Sequence, residues 1–301
     1  MQVEAAPRWK WNRRNVGYFF VLPSLVLYII FFIYPFLSSI YLSLTDWDGL
    51  KPVMNFVGLQ NYERMLGDPL VWQSLKHNVI WVIIGTTAPV VIGLMLSLLL
   101  WGRIRGRLLF RTIYFMPVVL SSVVVGIIWG WIYNPIFGIL NRILRFIGLD
   151  SLARGWLGDP DVALYAVLIA AIWSYTGFCV VIFISGLQNV DMDLIDAATV
   201  DGANAWRRLV HVIIPQLRYV LTMVIAYTLI GGFNVFDIVL IMTRGGPANA
   251  TEVIATYTYY RSFREADVSY GAALSMLMTV LALAATLIFM RIRERGQEEA
   301  A

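Results

Sequence analysis

Lysine is almost missing from this chain. Only Lys10, Lys51 and Lys76 stand against twenty arginines in 301 residues, and none of the three follows a glycine. A phosphate-binding loop needs a lysine placed directly after a glycine-rich cradle, so the chain holds no such loop and no nucleotide motor of that kind. Cysteine is rarer still. Cys179 is the single one, which excludes an intramolecular disulfide and leaves the redox compartment open. His77 and His211 are the two histidines. They are far apart and lack cysteine partners, so they give no zinc-ligand spacing and read as satisfied or solvated side chains. Charge is scarce too, at 14% of residues against 59% hydrophobic, where a soluble domain carries about a quarter charged. The net charge of +4 is small and its arginines are scattered over loops and tails, so nothing suggests a nucleic-acid partner.

Long apolar runs are what the chain does have. A helix crosses the hydrocarbon core with about 20 apolar residues. Five uncharged stretches reach that length: between Arg14 and Asp46, Lys76 and Arg103, Arg111 and Asn134, Asp161 and Asp191, and Asp267 and Arg291. A further stretch, fifth in chain order, runs from Tyr219 to Thr243 with one charge inside, Asp237. The first run is too long for a signal-peptide core, and Ser38 to Tyr41 offers no small-residue cleavage site, so it reads as a span. Six spans therefore imply an all-α polytopic membrane protein in contact with the lipid bilayer. With the N-terminus in the cytoplasm, fourteen Lys and Arg fall on the inner side and nine in the longer outer loops. This bias predicts both termini to be cytoplasmic. The expected division is a cytoplasmic segment over 1–15, the membrane domain over 16–291 and a cytoplasmic tail over 292–301.

The outer loops carry pattern. Residues 56–77 mix aromatics with charge around a Gly-Asp-Pro turn signal at 67–69, and Ile139, Leu140, Ile143, Leu144 and Ile147 recur at helical spacing. Both read as surface helices on the outer rim, with Trp129, Trp131 and Tyr133 as an interfacial belt. No repeat period is present.

One long inner loop, 188–218, joins the fourth and fifth spans. Leu194 to Val200 predicts a short helix, Asp201-Gly202 a turn in which glycine takes positive φ, and Ala205 to Ile214 a second helix presenting Trp206, Leu209 and Val210 on one face. Pro215 suits the start of the fifth span. The product is a helix–turn–helix hook under the membrane. Within the fifth span, Gly231-Gly232 can loosen the helix. Phe233 and Asp237 are four apart and Asn234 and Asp237 three apart, so a continuous helix puts them on one face. An aromatic face beside a carboxylate and an amide suits a sugar: rings stack on its C–H face and acceptors take its hydroxyls. A charge inside a span usually lines a pathway. The bland alternative is Asp237 near the outer end, paired with Arg244. Trp173, Tyr175 and Phe178 are weaker candidates in the fourth span.

Asp196-Ala197-Ala198, Gly202 and Ile214-Pro215 together resemble the EAA signature of ABC importer permeases, with Asp196 where that family has Glu, and Val212 and Ile214 where it has Ile and Leu. The likeness extends over F-V-G-L-Q-N-Y (56–62), D-G-A (201–203), F-D-I-V-L-I-M-T-R-G-G-P (236–247) and Y-G-A-A-L-S (270–275), which are similar to the first permease of maltose-type and glycerol-phosphate-type importers. The resemblance implies the type I ABC importer permease fold. It also implies a hook that docks on an ATPase through Asp196, Ala197, Ala198, Asp201, Gly202 and Ala203. The expected substrate path, read from the fifth span itself, touches Phe233, Asn234, Phe236 and Asp237. The implied partners are a second permease, two ATPase subunits that use ATP and Mg, and an extracytoplasmic binding protein. This chain is then expected to bind no cofactor or metal and to catalyse nothing itself, and the Gly245-Gly246-Pro247 turn faces the binding protein. The competing readings are a permease for a non-sugar solute such as glycerol phosphate, an ion-coupled carrier, for which the halves show no inverted repeat, and an intramembrane enzyme, for which the spans hold no catalytic constellation.

Overall fold

A computed structural model describes residues 13–102 and 105–298. The segment expected over 1–15 therefore lies outside the described residues up to residue 12, as do Arg103 and the last three residues of the expected tail. Four helices are long and apolar enough to cross a membrane, and two sharply bent helix pairs bring the count to six if each pair is one span.

The first span is Arg13–Tyr28, a wider turn at Ile29–Ile33, and Tyr34–Ser43. From Phe20 to Leu37 every residue is exposed, so its apolar surface is covered by none of the described residues. Its second piece, Tyr34–Ser43, packs against the last helix, Val268–Glu298. The two are tied where Thr45 and Ser269 share a 2.8 Å hydrogen bond and the Trp47 amide donates to Ser269 Oγ at 2.9 Å.

The second span, Pro69–Trp101, begins earlier than the charge at Lys76 suggested. Asp68 caps it, accepting from the Leu70 amide at 3.0 Å, and Pro69 occupies the first turn, where a missing N–H costs nothing. Only Gln60–Leu66 of the 56–77 stretch is a separate helix. The second span packs along the fourth, Ala163–Leu187, and this pair forms the centre of the molecule.

Two expected spans are broken. The third is Arg107–Val119 followed by Ser122–Ile132, bent by 104°. Pro117 ends the first piece within a turn, and Ser121 caps the second by accepting from the Val124 amide. The fifth runs from Arg218 to Phe233, stops at Asn234–Phe236, and resumes as Asp237–Met242. The stretch 219–243 is therefore not one helix, and the glycines Gly231-Gly232 stand just before its break. Pro215 does not begin the fifth span. It sits in the short Ile214–Gln216 turn, and a 74° bend separates that segment from Arg218–Phe233.

Outside the spans, Ile139–Phe146 forms the expected surface helix. The aromatic belt is mostly core instead. Tyr133 is buried and donates to the Ala166 carbonyl at 3.0 Å, Trp129 meets Trp173 edge-on at 5.9 Å, and only Trp131 is exposed. Ile254–Tyr259 continues into a wide turn at Tyr260–Arg264 and crosses the N-terminal ends of the second and last helices. There Asp68 gathers the hydroxyls of Tyr257 (2.5 Å) and Tyr270 (2.8 Å).

Candidate functional site: a polar recess and an exposed hook

The breaks in the third and fifth spans meet around one recess. Asn234, Phe236 and Asp237 line it from the fifth-span break, Ser122 from the third-span break, Ser174 and Tyr175 from the fourth span, and Trp81 and Gly85 from the second. The indole N–H of Trp81 is buried there without a hydrogen-bond partner among the described residues. Ser122, Ser174 and Tyr175 also line an adjoining chamber with Phe178 and Tyr227, whose rings lie 4.6 Å apart. Asn234 and Asp237 are exposed to this space. Among the described residues Asp237 makes no salt bridge with Arg244 or any other cation.

The chain break rearranges the expected set. Phe233 does not join Asp237. It lines a broader groove on the other side of Asn234 and Phe236, with Tyr259 and Phe263, because helical spacing across residues 233–237 fails once the helix stops at Asn234. Asn234, Phe236 and Asp237 do come together, and Tyr175 joins them. Sequence reasoning missed Ser122, Ser174, Trp81 and Tyr227. A serine pair after a proline was the available signal for the first; Trp81 looked like any core aromatic. Neither lining contains an arginine or lysine. The arrangement offers acceptors, hydroxyls and rings to a neutral polar solute and no counter-charge to an anion.

The hook lies at the far end of the fourth and fifth spans. Its first helix, Met192–Val200, is capped by Asp191, which accepts from the Asp193 amide at 2.9 Å. It ends in a Schellman turn: the Ala203 amide reaches the Ala198 carbonyl at 2.9 Å and the Gly202 amide the Thr199 carbonyl at 3.1 Å. Gly202 takes φ +79° there, the left-handed conformation that glycine alone adopts without cost. Asn204 caps the second arm, Ala205–Arg208, and Leu209–Ile213 continues it in a wider turn. Arg208 ties the arms by donating to Thr199 Oγ1 at 3.0 Å, and the Gln216 side chain closes the base by accepting from the Asp191 amide at 2.8 Å. Ile195 and Leu209 pack against Leu187, Val190, Ile213 and Leu217. The tip is left bare, with Val200 88% and Trp206 69% exposed. Asp196, Ala197, Asp201 and Gly202 are exposed, and Ala198 and Ala203 half-buried. This is a rigid, anchored projection with an apolar end.

Residues 89–296, which include both the hook and most of the recess, match the family described as binding-protein-dependent transport system inner membrane component. The chain belongs to that family. A probable ABC transporter permease of Pyrococcus horikoshii is 34% identical over 279 residues, 93% of this chain and 96% of that protein. The trehalose/maltose transport system permease of Thermococcus litoralis is 32% identical over 94% of this chain and 95% of its own length. A lactose transport system permease of Rhizobium radiobacter is 34% identical over 93% and 94%. Among solved structures, a chain of a bacterial alginate ABC transporter in complex with a pentasaccharide-bound periplasmic protein matches with a TM-score of 0.83 at 19% identity, over 94% of this chain and 95% of that one. The permease is thus an all-α, multi-pass inner-membrane transport component with the type I ABC importer permease fold. Among its described residues no His, Cys, Asp and Glu cluster is arranged for a metal ion.

Proposed function

We propose that this permease forms half of the membrane path of an ATP-driven, binding-protein-dependent importer for a sugar, either a mono- or an oligosaccharide. The observation that carries the substrate reading is the recess at the fifth-span break. It presents the Asp237 carboxylate, the Asn234 amide and the Tyr175 and serine hydroxyls beside aromatic rings, with no basic side chain in its lining. A phosphate dianion would meet a carboxylate there and find no cation, which disfavours glycerol phosphate. A neutral polyol meets acceptors, donors and ring faces. The relatives that transport trehalose, maltose and lactose support the same class.

In this reading Asn234, Phe236 and Asp237 touch the solute, and Phe233 lines the neighbouring groove. A second permease supplies the other wall. Two ATPase subunits, which use ATP and Mg, receive the hooks at Asp196, Ala197, Ala198, Asp201, Gly202 and Ala203. Both termini are cytoplasmic, the membrane domain spans 16–291 between the cytoplasmic segments 1–15 and 292–301, and the outer turn at Gly245-Gly246-Pro247 faces the binding protein. Closure of the ATPases moves the hooks and exchanges inward for outward access.

The test is purification of the tagged chain from its source membrane, with the variant Gly202→Pro alongside. Wild-type chain recovered with an ATPase and a second permease, and Gly202→Pro recovered in the membrane with uptake lost while ATP hydrolysis continues, are the expected results. A chain recovered alone, or uptake that collapses with an uncoupler at constant ATP, overturns the proposal in favour of an ion-coupled carrier.

A further inference from the structure

The hook moves only what is fastened to it. Its second arm ends at Gln216, and after the 74° bend the fifth span begins at Arg218. That first turn of the fifth span is gripped from the side by the last helix. Arg293 Nε donates to Thr222 Oγ1 at 3.0 Å, and its Nη2 donates to the Arg218 carbonyl at 3.2 Å. Arg218 is itself held in place, its guanidinium lying 4.8 Å over the Tyr219 ring.

We propose that Arg293 is a positioning residue for transport: it clamps the last helix to the base of the fifth span, so that hook motion is delivered to both spans as one body. The inference rests on the proposed docking of the hook to an ATPase.

Three features of the geometry support a clamp. The guanidinium is a planar, multi-donor group, and here two of its nitrogens bind two acceptors one helical turn apart on the same helix. Such a grip fixes orientation as well as distance; a lysine ammonium at the same place supplies a point charge only. The location is also economical. Arg218 and Thr222 are the first residues beyond the hook that can be moved by it, so a bond made there transmits the whole displacement, whereas one made near the outer end would transmit little. Finally, the last helix is the mount for other parts. It carries Tyr34–Ser43 of the first span along its outer half, is joined to the segment after it through Ser269, and takes part in the outer cluster around Asp68 through Tyr270. Without the Arg293 clamp the fifth span would move with the hook and the last helix would lag behind.

The experiment places spin labels on exposed positions of the two helices, at Met223→Cys and Ile288→Cys, in the complete complex with its ATPases. Distances are measured without nucleotide and with ATP and vanadate, while ATP hydrolysis is followed in the same preparation. In the otherwise wild-type complex a single narrow distance, the same in both conditions, is expected. In Arg293→Ala the distance without nucleotide stays close to wild type but broadens and shifts by several ångströms with ATP and vanadate, while hydrolysis persists. Arg293→Lys is expected to fall between them. Thr222→Val removes one acceptor without touching the arginine, gives a smaller shift in the same direction, and serves should Arg293→Ala fail to assemble. A purely structural arginine would alter assembly without creating a nucleotide-dependent distance. Overturning results are a nucleotide-dependent shift already in wild type, or an Arg293→Ala or Thr222→Val distance that remains fixed in both conditions. A wild-type complex that contains no ATPase removes the docking reading and this inference with it, and is recognised by the absent hydrolysis.

Discussion

Glu252 offers a quantitative check on how the turn at Gly245 is built. The residue is 3% exposed and its carboxyl has no cation within salt-bridge range among the described residues. Oε1 accepts from Thr256 Oγ1 at 2.5 Å, and the residue's own carbonyl is held by His77 Nδ1 at 2.7 Å, so the side chain cannot withdraw. Oε2 faces Gly245, where an added Cβ would come within 2.0 Å of it and 2.7 Å of the carboxyl carbon. Gly245→Ala therefore meets two separate costs. Its φ of +83° is left-handed, about 1–2 kcal/mol for an L-residue. The collision adds roughly 1–3 kcal/mol of overpacking. The total expected is about 2–5 kcal/mol, read from thermal or denaturant unfolding of the purified permease. In a Glu252→Ala background the obstacle is gone, so Gly245→Ala should cost only the conformational part, and the difference between backgrounds isolates the collision. Burial raises the Glu252 pKa, with the Thr256 hydroxyl pulling the other way. The unfolded chain thus ionises at the ordinary glutamate pH while the folded one keeps its proton longer. In that interval the unfolded state binds fewer protons, and stability falls as pH rises from the ordinary glutamate value toward the raised one. Glu252→Gln, a neutral group of the same shape, should fold nearly as well and lose that slope. Equal costs of Gly245→Ala in both backgrounds, or stability rising with pH through the interval in a way Glu252→Gln abolishes, would refute the reasoning.

Asp68 has the opposite sign. Burial pushes its carboxyl up, but the hydroxyls of Tyr257 and Tyr270, the Leu70 amide and Arg261 outweigh it and hold the pKa below the ordinary value. Its stabilisation is present above the ordinary aspartate pKa and is lost as pH falls through the lowered one, and Asp68→Asn should cost about 1–3 kcal/mol in melting measurements and flatten that acid limb. Gly177→Ala should separate the fourth span from Arg107–Val119, since a Cβ would lie 2.1 Å from the Tyr114 carbonyl oxygen; a loss of about 1–3 kcal/mol is expected, and an unchanged melting temperature would contradict the close packing. Asp237→Asn should weaken solute binding to the reconstituted importer by about tenfold, the effect of one charged hydrogen-bond acceptor, while purification yields the same complex; unchanged affinity removes Asp237 from the site.

Hydropathy alone revealed the spans, because lipid demands long apolar helices and excludes alternatives. The hook was legible through its turn: Gly202 after a short helix is a local signal that fixes local geometry. Where the reading failed, it treated apolar length as helix continuity. Pro117 followed by Ser121-Ser122 is a stop and a new cap, hidden in the sequence because no charge interrupts the run. Residues 219–243 went the same way, and with them the face shared by Phe233 and Asp237. Residue type alone puts Tyr133 and Trp129 at the interface, yet a tyrosine hydroxyl that can reach a carbonyl, here that of Ala166, is as comfortable buried as at the membrane surface.

The breaks explain the recess better than any single side chain does. A helix interrupted at membrane depth frees backbone amides and carbonyls, and hydrocarbon cannot satisfy them; such backbone survives only against protein or along a water-filled cavity. The third span stops at Leu120–Ser121 and the fifth at Asn234–Phe236, and residues next to both stops line the same recess. The second span, by contrast, stays helical through Pro89, with the fourth span packed along it. The chain tolerates an apolar proline in its packed centre without a break, yet breaks two helices beside Ser122, Asn234 and Asp237. That selectivity marks the recess as the wet part of the molecule. It also identifies the variants that should close it: those that restore helix across 234–236, whatever they do to the charge at 237.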